Sequence, residues 1–129
     1  MQYPTRHAEF ISATHRTGIQ YLTKPLYLAM LFKQPCVYIM SNQYRTTFYI
    51  GVTSDIRTRV WQHLNNEGSA FVKKYRLFDL VYYEGFERIT DAIDREKQLK
   101  NWHHDWKVNL IQSVNPTMKD LKSEINDAD

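Results

Sequence analysis

Tyr38, Tyr49, Arg59, His63 and Glu96 form a set of side chains that can hydrolyse a phosphodiester. A guanidinium complements phosphate charge, a phenol or imidazole can move a proton, and a carboxylate can hold a divalent cation. Arg59 and His63 are four residues apart, so on a helix they are neighbours. A helical wheel puts both beside Ile56 and Val60, at the rim of the core, and away from Thr58 and Gln62. In such a place they either snorkel, pair with a carboxylate, or meet a ligand. Glu96 is the sharper anomaly. Ala92 and Ile93 precede it and Leu99 follows at helical spacing, which places the acid inside an apolar stripe. A buried carboxylate is costly unless paired, protonated or metal-bound. An ion pair with Arg59 and a catalytic or metal role both meet that requirement. Tyr38 and Tyr49 each stand in a short strand pattern, where tyrosine is ordinarily core. Gly51 would allow a close approach to the backbone there.

The elements that must hold these residues can be read from pattern. Residues 36–40 are apolar, aromatic or β-branched and predict a buried strand, and 47–52 predict a second, joined by a polar loop of about six residues. Strand alternation puts Tyr38 on the face of Cys36 and Met40, and Tyr49 on the face of Gly51, opposite Ile50. Ser54 is the expected N-cap of a helix with Asp55 in its first turn and Ile56, Val60 and Leu64 on its buried side. Gly68 closes that region, and Ala70–Tyr75 forms a short helix carrying Lys73 and Lys74. Residues 77–86 predict a third strand. Thr90 caps a third helix, His103-His104-Asp105 breaks it, and a fourth helix runs from 106 to 114 before Asn115-Pro116. The polar tail from Ser123 is expected to fray. The expected fold is α+β, a small three-stranded, mainly antiparallel sheet flanked by helices.

With 129 residues the chain is long enough for one domain with a modest core. We assign that domain to 34–122, with residues 1–33 a dispensable extension and 123–129 a frayed tail. The formal charge of +3 is compatible with a nucleic-acid partner. The lone cysteine, Cys36, excludes an intramolecular disulfide and fits the reducing cytoplasm. No apolar run approaches the length of a membrane span, so no membrane role is expected. Trp102 and Trp106 are expected to pack the last helices together. Cys/His clusters of structural zinc, phosphate-binding glycine loops and a Gly-x-Ser-x-Gly elbow are all missing from the sequence.

Order then adds what no single residue carries. Cys36-Val37-Tyr38, Tyr49-Ile50-Gly51, an arginine eight past that glycine, and Glu96 within Arg95-Glu96-Lys97-Gln98-Leu99-Lys100-Asn101-Trp102 together resemble the GIY-YIG nuclease superfamily. The chain looks most like its small stand-alone bacterial members, which are similar to the N-terminal nuclease half of the third component of excinuclease ABC. The resemblance implies a DNA endonuclease linked to repair or recombination, with Mg2+ or Mn2+ as cofactor. It implies Tyr38 as general base or relay, Tyr49 as an orienting group, Arg59 on the scissile phosphate, and Glu96 as metal ligand. His63 matches a histidine of some branches, and Asn109 stands near a late asparagine of the family. Cys36 departs from the family glycine, and Val52 stands where some relatives carry lysine. Lys73, Lys74, Lys97 and Lys100 are the expected phosphate-backbone contacts. Two rival functions share this fold: a nucleic-acid-binding module that no longer cuts, and an interaction subunit whose protein partner supplies specificity.

Overall fold

The structure, a computed structural model, describes residues 33–65 and 67–126. Two strands, β1 (Cys36–Ser41) and β2 (Phe48–Thr53), lead into helices α1 (Ile56–Leu64) and α2 (Ala70–Tyr75). Strand β3 (Asp79–Gly85) follows, then α3 (Ile89–Lys100), α4 (His104–Val114) and α5 (Lys122–Asn126). The strands make one antiparallel sheet in the order β2-β1-β3. This is the α+β architecture expected from the sequence.

The central place of β1 follows from its composition. All six of its residues are buried, and its one polar side chain, Ser41, donates to the Thr47 carbonyl at 3.0 Å. Alternation divides the strand between two cores. Cys36, Tyr38 and Met40 pack with Ile56 and Val60 of α1, Val72 of α2 and Ile125 of α5. Val37 and Ile39 pack with Ile50, with Ala92 and Leu99 of α3, and with Leu110 and Ile111 of α4. A register shift against β3 between Ile39 and Met40 sends Leu80 and Tyr83 to the first core and Val81 and Tyr82 to the second.

Loops fix the sheet edges. In the β1–β2 connection the Asn42 side-chain oxygen accepts from the Thr46 and Thr47 amides at 2.9 and 3.1 Å. Arg45, at φ 58°, ties this loop to the Met118 carbonyl at 2.8 Å and to Asp79 at 2.7 Å.

Several local expectations are corrected. Asp55, not Ser54, caps α1: its backbone is extended and its carboxylate accepts from the Thr58 amide at 3.2 Å. Helix α3 starts at Ile89, so Thr90 lies in its first turn, and Arg88 at the cap position makes no side-chain capping bond. The buried face of α1 is Ile56, Val60 and His63, while Leu64 is 42% exposed. The imidazole finds a hydrogen-bond partner inside, which offsets the cost of burying it. The tail does not fray through 126: Ile125 is buried in the first core. Of the expected N-terminal extension only Lys33 is among the described residues, and 127–129 lie outside them too.

Candidate active site

Tyr38 and Gly51 are partners across the β1–β2 ladder. The phenol lies over that glycine so closely that a Cβ there would sit 2.4 Å from Cζ and from Oη. Gly51 therefore lets the ring cross the strand. At the end of this path Tyr38 Oη meets His63 Nε2 at 2.9 Å, in a buried hydrogen bond. Burial pushes the Tyr38 hydroxyl far above the ordinary tyrosine range. Tyr49, Cys36 and Glu96 push the same way, and Arg59 opposes them. His63 is pushed down to about 4, first by burial and then by the Arg59 charge. At neutral pH the pair is thus a phenol and a neutral imidazole. His63 Nδ1 is buried with no hydrogen-bond partner among the described residues and faces Gly68, where a Cβ would lie 2.2 Å from it.

Tyr49 completes a ring triangle. Its centroid is 6.3 Å from Tyr38 and 5.5 Å from His63, and the Tyr38–His63 separation is 5.7 Å. Arg59 is half-buried one helical turn before His63 and donates to the Gln62 side-chain oxygen at 3.3 Å. Its charge reaches both Tyr38 and His63. Glu96 comes from α3, which packs on β2 and β1, and its charge is also felt at the Tyr38 hydroxyl. Thus Tyr38, Tyr49 and His63 are brought together, and the Arg59 and Glu96 charges are felt at the Tyr38 hydroxyl.

The expected position of Glu96 within the apolar stripe needs correction. The buried stripe of α3 is Ala92, Arg95 and Leu99. Glu96 stands at its edge, with a side chain 17% exposed and Lys100 Nζ 3.6 Å away. It does not pair with Arg59. A carboxylate so placed suits a hard cation better than a stripe-buried one, because water and phosphate oxygens can reach it. Among the described residues no three His, Cys, Asp or Glu gather into a metal-ligating group. A cation here would take Glu96 and complete its shell with water and substrate oxygens, as magnesium commonly does.

The lysines divide. Lys73 and Lys74 are exposed on α2, and Phe71 of that helix stands 6.5 Å from the Tyr49 ring. Lys100 is engaged with Glu96, and Lys97 lines a separate open groove with Asp94, Gln98, Asn101 and Trp102. Asn109 is half-buried in α4 and makes no side-chain hydrogen bond to any of the five. Trp102 and Trp106 pack edge-to-face at 6.0 Å, as expected for packing residues.

Pattern reading missed a buried ionic cluster on the other face of the sheet. Arg95 Nε contacts Glu84 Oε2 at 3.1 Å, and Tyr82 donates to Glu84 Oε1 at 2.6 Å. Burial lifts the Glu84 carboxyl to about 7, against the pull of Arg95 and the Tyr82 bond. An acid inside the apolar run of β3 was the available signal.

The chain is 32% identical over 66 residues to a UPF0213 protein of Staphylococcus epidermidis, covering 51% of this chain and 80% of that one. It is 34% identical over 65 residues to a UPF0213 protein of Staphylococcus saprophyticus, covering 50% and 79%. A UPF0213 protein of Staphylococcus aureus matches at 32% over 66 residues, covering 51% and 80%. No solved structure matches significantly. Residues 34–109 match the GIY-YIG catalytic domain, and they include both strand tyrosines, Arg59, His63 and Glu96. The chain belongs to the GIY-YIG family.

Proposed function

We propose that this protein is a divalent-cation-dependent DNA endonuclease acting in repair or recombination. The observation that carries the reading is the 2.9 Å bond from Tyr38 to His63, set within reach of the Arg59 and Glu96 charges.

The chemistry follows from the protonation states. Burial disfavours a standing phenolate at Tyr38. A relay avoids it: Oη accepts the proton of the attacking water while passing its own to His63 Nε2. This requires the tautomer with hydrogen on Nδ1, leaving Nε2 free to accept. Tyr49, beside both rings, would orient that water. Arg59 supplies fixed positive charge at the phosphate. Glu96 would hold the cation, whose contribution when bound is charge neutralisation at the phosphate and at the leaving oxygen. A new bond from the water oxygen to phosphorus forms as the bond to the 3′ oxygen breaks. The products are a 5′ phosphate and a 3′ hydroxyl, the latter taking its proton from solvent.

The test is incubation of branched, single-stranded and duplex DNA with Mg2+ or Mn2+, comparing wild type with Glu96→Ala and Arg59→Ala. Cation-dependent cutting by wild type, lost in both variants, supports the reading. DNA binding without cutting, unchanged in Glu96→Ala, makes the protein a binding module.

A further inference from the structure

A run of aromatic rings leaves the candidate active site and ends on the surface. Tyr38 neighbours Tyr49 at 6.3 Å, Tyr49 neighbours Phe71 at 6.5 Å, and Phe71 neighbours Tyr75 at 4.7 Å. The first ring is buried, but Phe71 and Tyr75 are 44% and 43% exposed. They are i and i+4 on α2, so they stand on one flank of the helix. Val72 alone is that helix's buried residue. Two large apolar rings thus face water, although α2 is anchored without them.

Basic groups surround these rings. Lys73 and Lys74 occupy the last turn of α2 and Arg76 follows it, all exposed. Lys74 Nζ lies 5.2 Å from the centre of the Tyr75 ring. Exposed aromatic faces flanked by cations are what an unpaired nucleic-acid strand requires: rings for its bases and charge for its phosphates. A duplex hides its base faces and could use only the charges.

We infer that Phe71 and Tyr75 are a stacking platform for unpaired bases of a DNA strand beside the scissile phosphate. The protein would therefore select DNA with a single-stranded segment at the cutting point. The choice of DNA rests on the proposed nuclease function, whereas stacking itself requires no cleavage.

The experiment uses the full chain, wild type and the double variant Phe71→Ala/Tyr75→Ala, with oligonucleotides carrying 2-aminopurine. Both side chains are partly solvated, and circular dichroism checks that the variant is folded. Wild type should bind single-stranded DNA more tightly than duplex and quench the probe. The variant should lose about tenfold in single-strand affinity for each stacked base, lose the quenching, and bind duplex as before. Tyr75→Phe, which keeps the ring, should retain both. Equal single-strand affinity and quenching in wild type and the folded double variant overturns the platform. Cleavage is scored separately on the same samples. Stacking without cutting would leave the platform standing and remove the nuclease function, and cutting with an unchanged strand preference would do the reverse.

Discussion

Arg59 acts on His63 from one helical turn away, and that small separation has a measurable result. With His63 held down to about 4, the imidazole remains able to accept a proton through most of the acid range. The acid limb of kcat/KM should therefore fall near pH 4 to 5, well below the ordinary histidine value near 6.5. Arg59→Ala removes one of the two influences that lower His63. It should shift this limb upward and reduce kcat by about 100- to 1000-fold, the usual loss for an electrostatic donor. A pH profile of wild type and variant, each at saturating Mg2+, checks both. Tyr38→Phe removes the hydroxyl of the proposed relay but keeps the ring over Gly51, so folding should survive while cutting is lost. At this scale the sequence was largely legible. Arg59 is half-buried at the rim, as its wheel position beside Ile56 and Val60 implied, whereas His63 goes deeper, onto the buried face itself. Glu96 was read as the candidate cation ligand, and its placement was misread, because Arg95 took the stripe. A guanidinium enters a core only when its partner is there, and Glu84 lies eleven residues away on another element.

The elements shape the candidate active site through two glycines, one under each ring of the Tyr38–His63 pair. Gly51→Ala would place a methyl 2.4 Å from the Tyr38 hydroxyl oxygen, and Gly68→Ala one 2.2 Å from His63 Nδ1. In the second case the His63 Cα, 3.1 Å away, blocks relief by the backbone. Each substitution should cost about 1–3 kcal/mol of stability, as overpacking does. Each should also depress kcat more than KM, since each displaces a ring of the proposed Tyr38–His63 relay. Thermal melts and steady-state kinetics on the same preparations check this. Pattern showed that Gly51 permitted a close approach and that Gly68 closed a helix region. What approached them was invisible, because the pairing of β1 with β2 and the turn between α1 and α2, not local pattern, bring Tyr38 onto Gly51 and His63 onto Gly68. Helix ends were misplaced by one or two residues for a local reason: Ser54 and Thr90 are good capping types, but a cap also needs extended backbone aimed at the first free amides, which Asp55 provides.

Across the whole molecule, the two faces of the sheet carry opposed responses to pH. On one face the unfolded chain protonates His63 near 6.5, while the folded protein resists until about 4. Stability therefore falls as pH drops through that interval. On the other face Glu84 keeps its proton up to about 7 when folded but only to about 4.5 when unfolded. Its contribution is full below 4.5 and is lost as pH rises toward 7. Between 4.5 and 6.5 the two slopes offset. Glu84→Gln removes one of them, so the variant's stability should rise with pH across this window relative to wild type, by up to about 1.4 kcal/mol per unit. Urea midpoints at several pH values read the difference. The matched family region stops at 109, yet the fold's hydrogen bonds continue beyond it. The Leu121 amide donates to the Leu80 carbonyl at 2.6 Å, Asp120 accepts from the Leu80 amide at 3.0 Å, and Asn115 donates to the Val81 carbonyl at 3.0 Å. These bonds occupy β3 on the side away from β1. A fragment trimmed to 34–109 would bare that strand as a template for other chains, and such a fragment should aggregate where the longer protein remains dispersed.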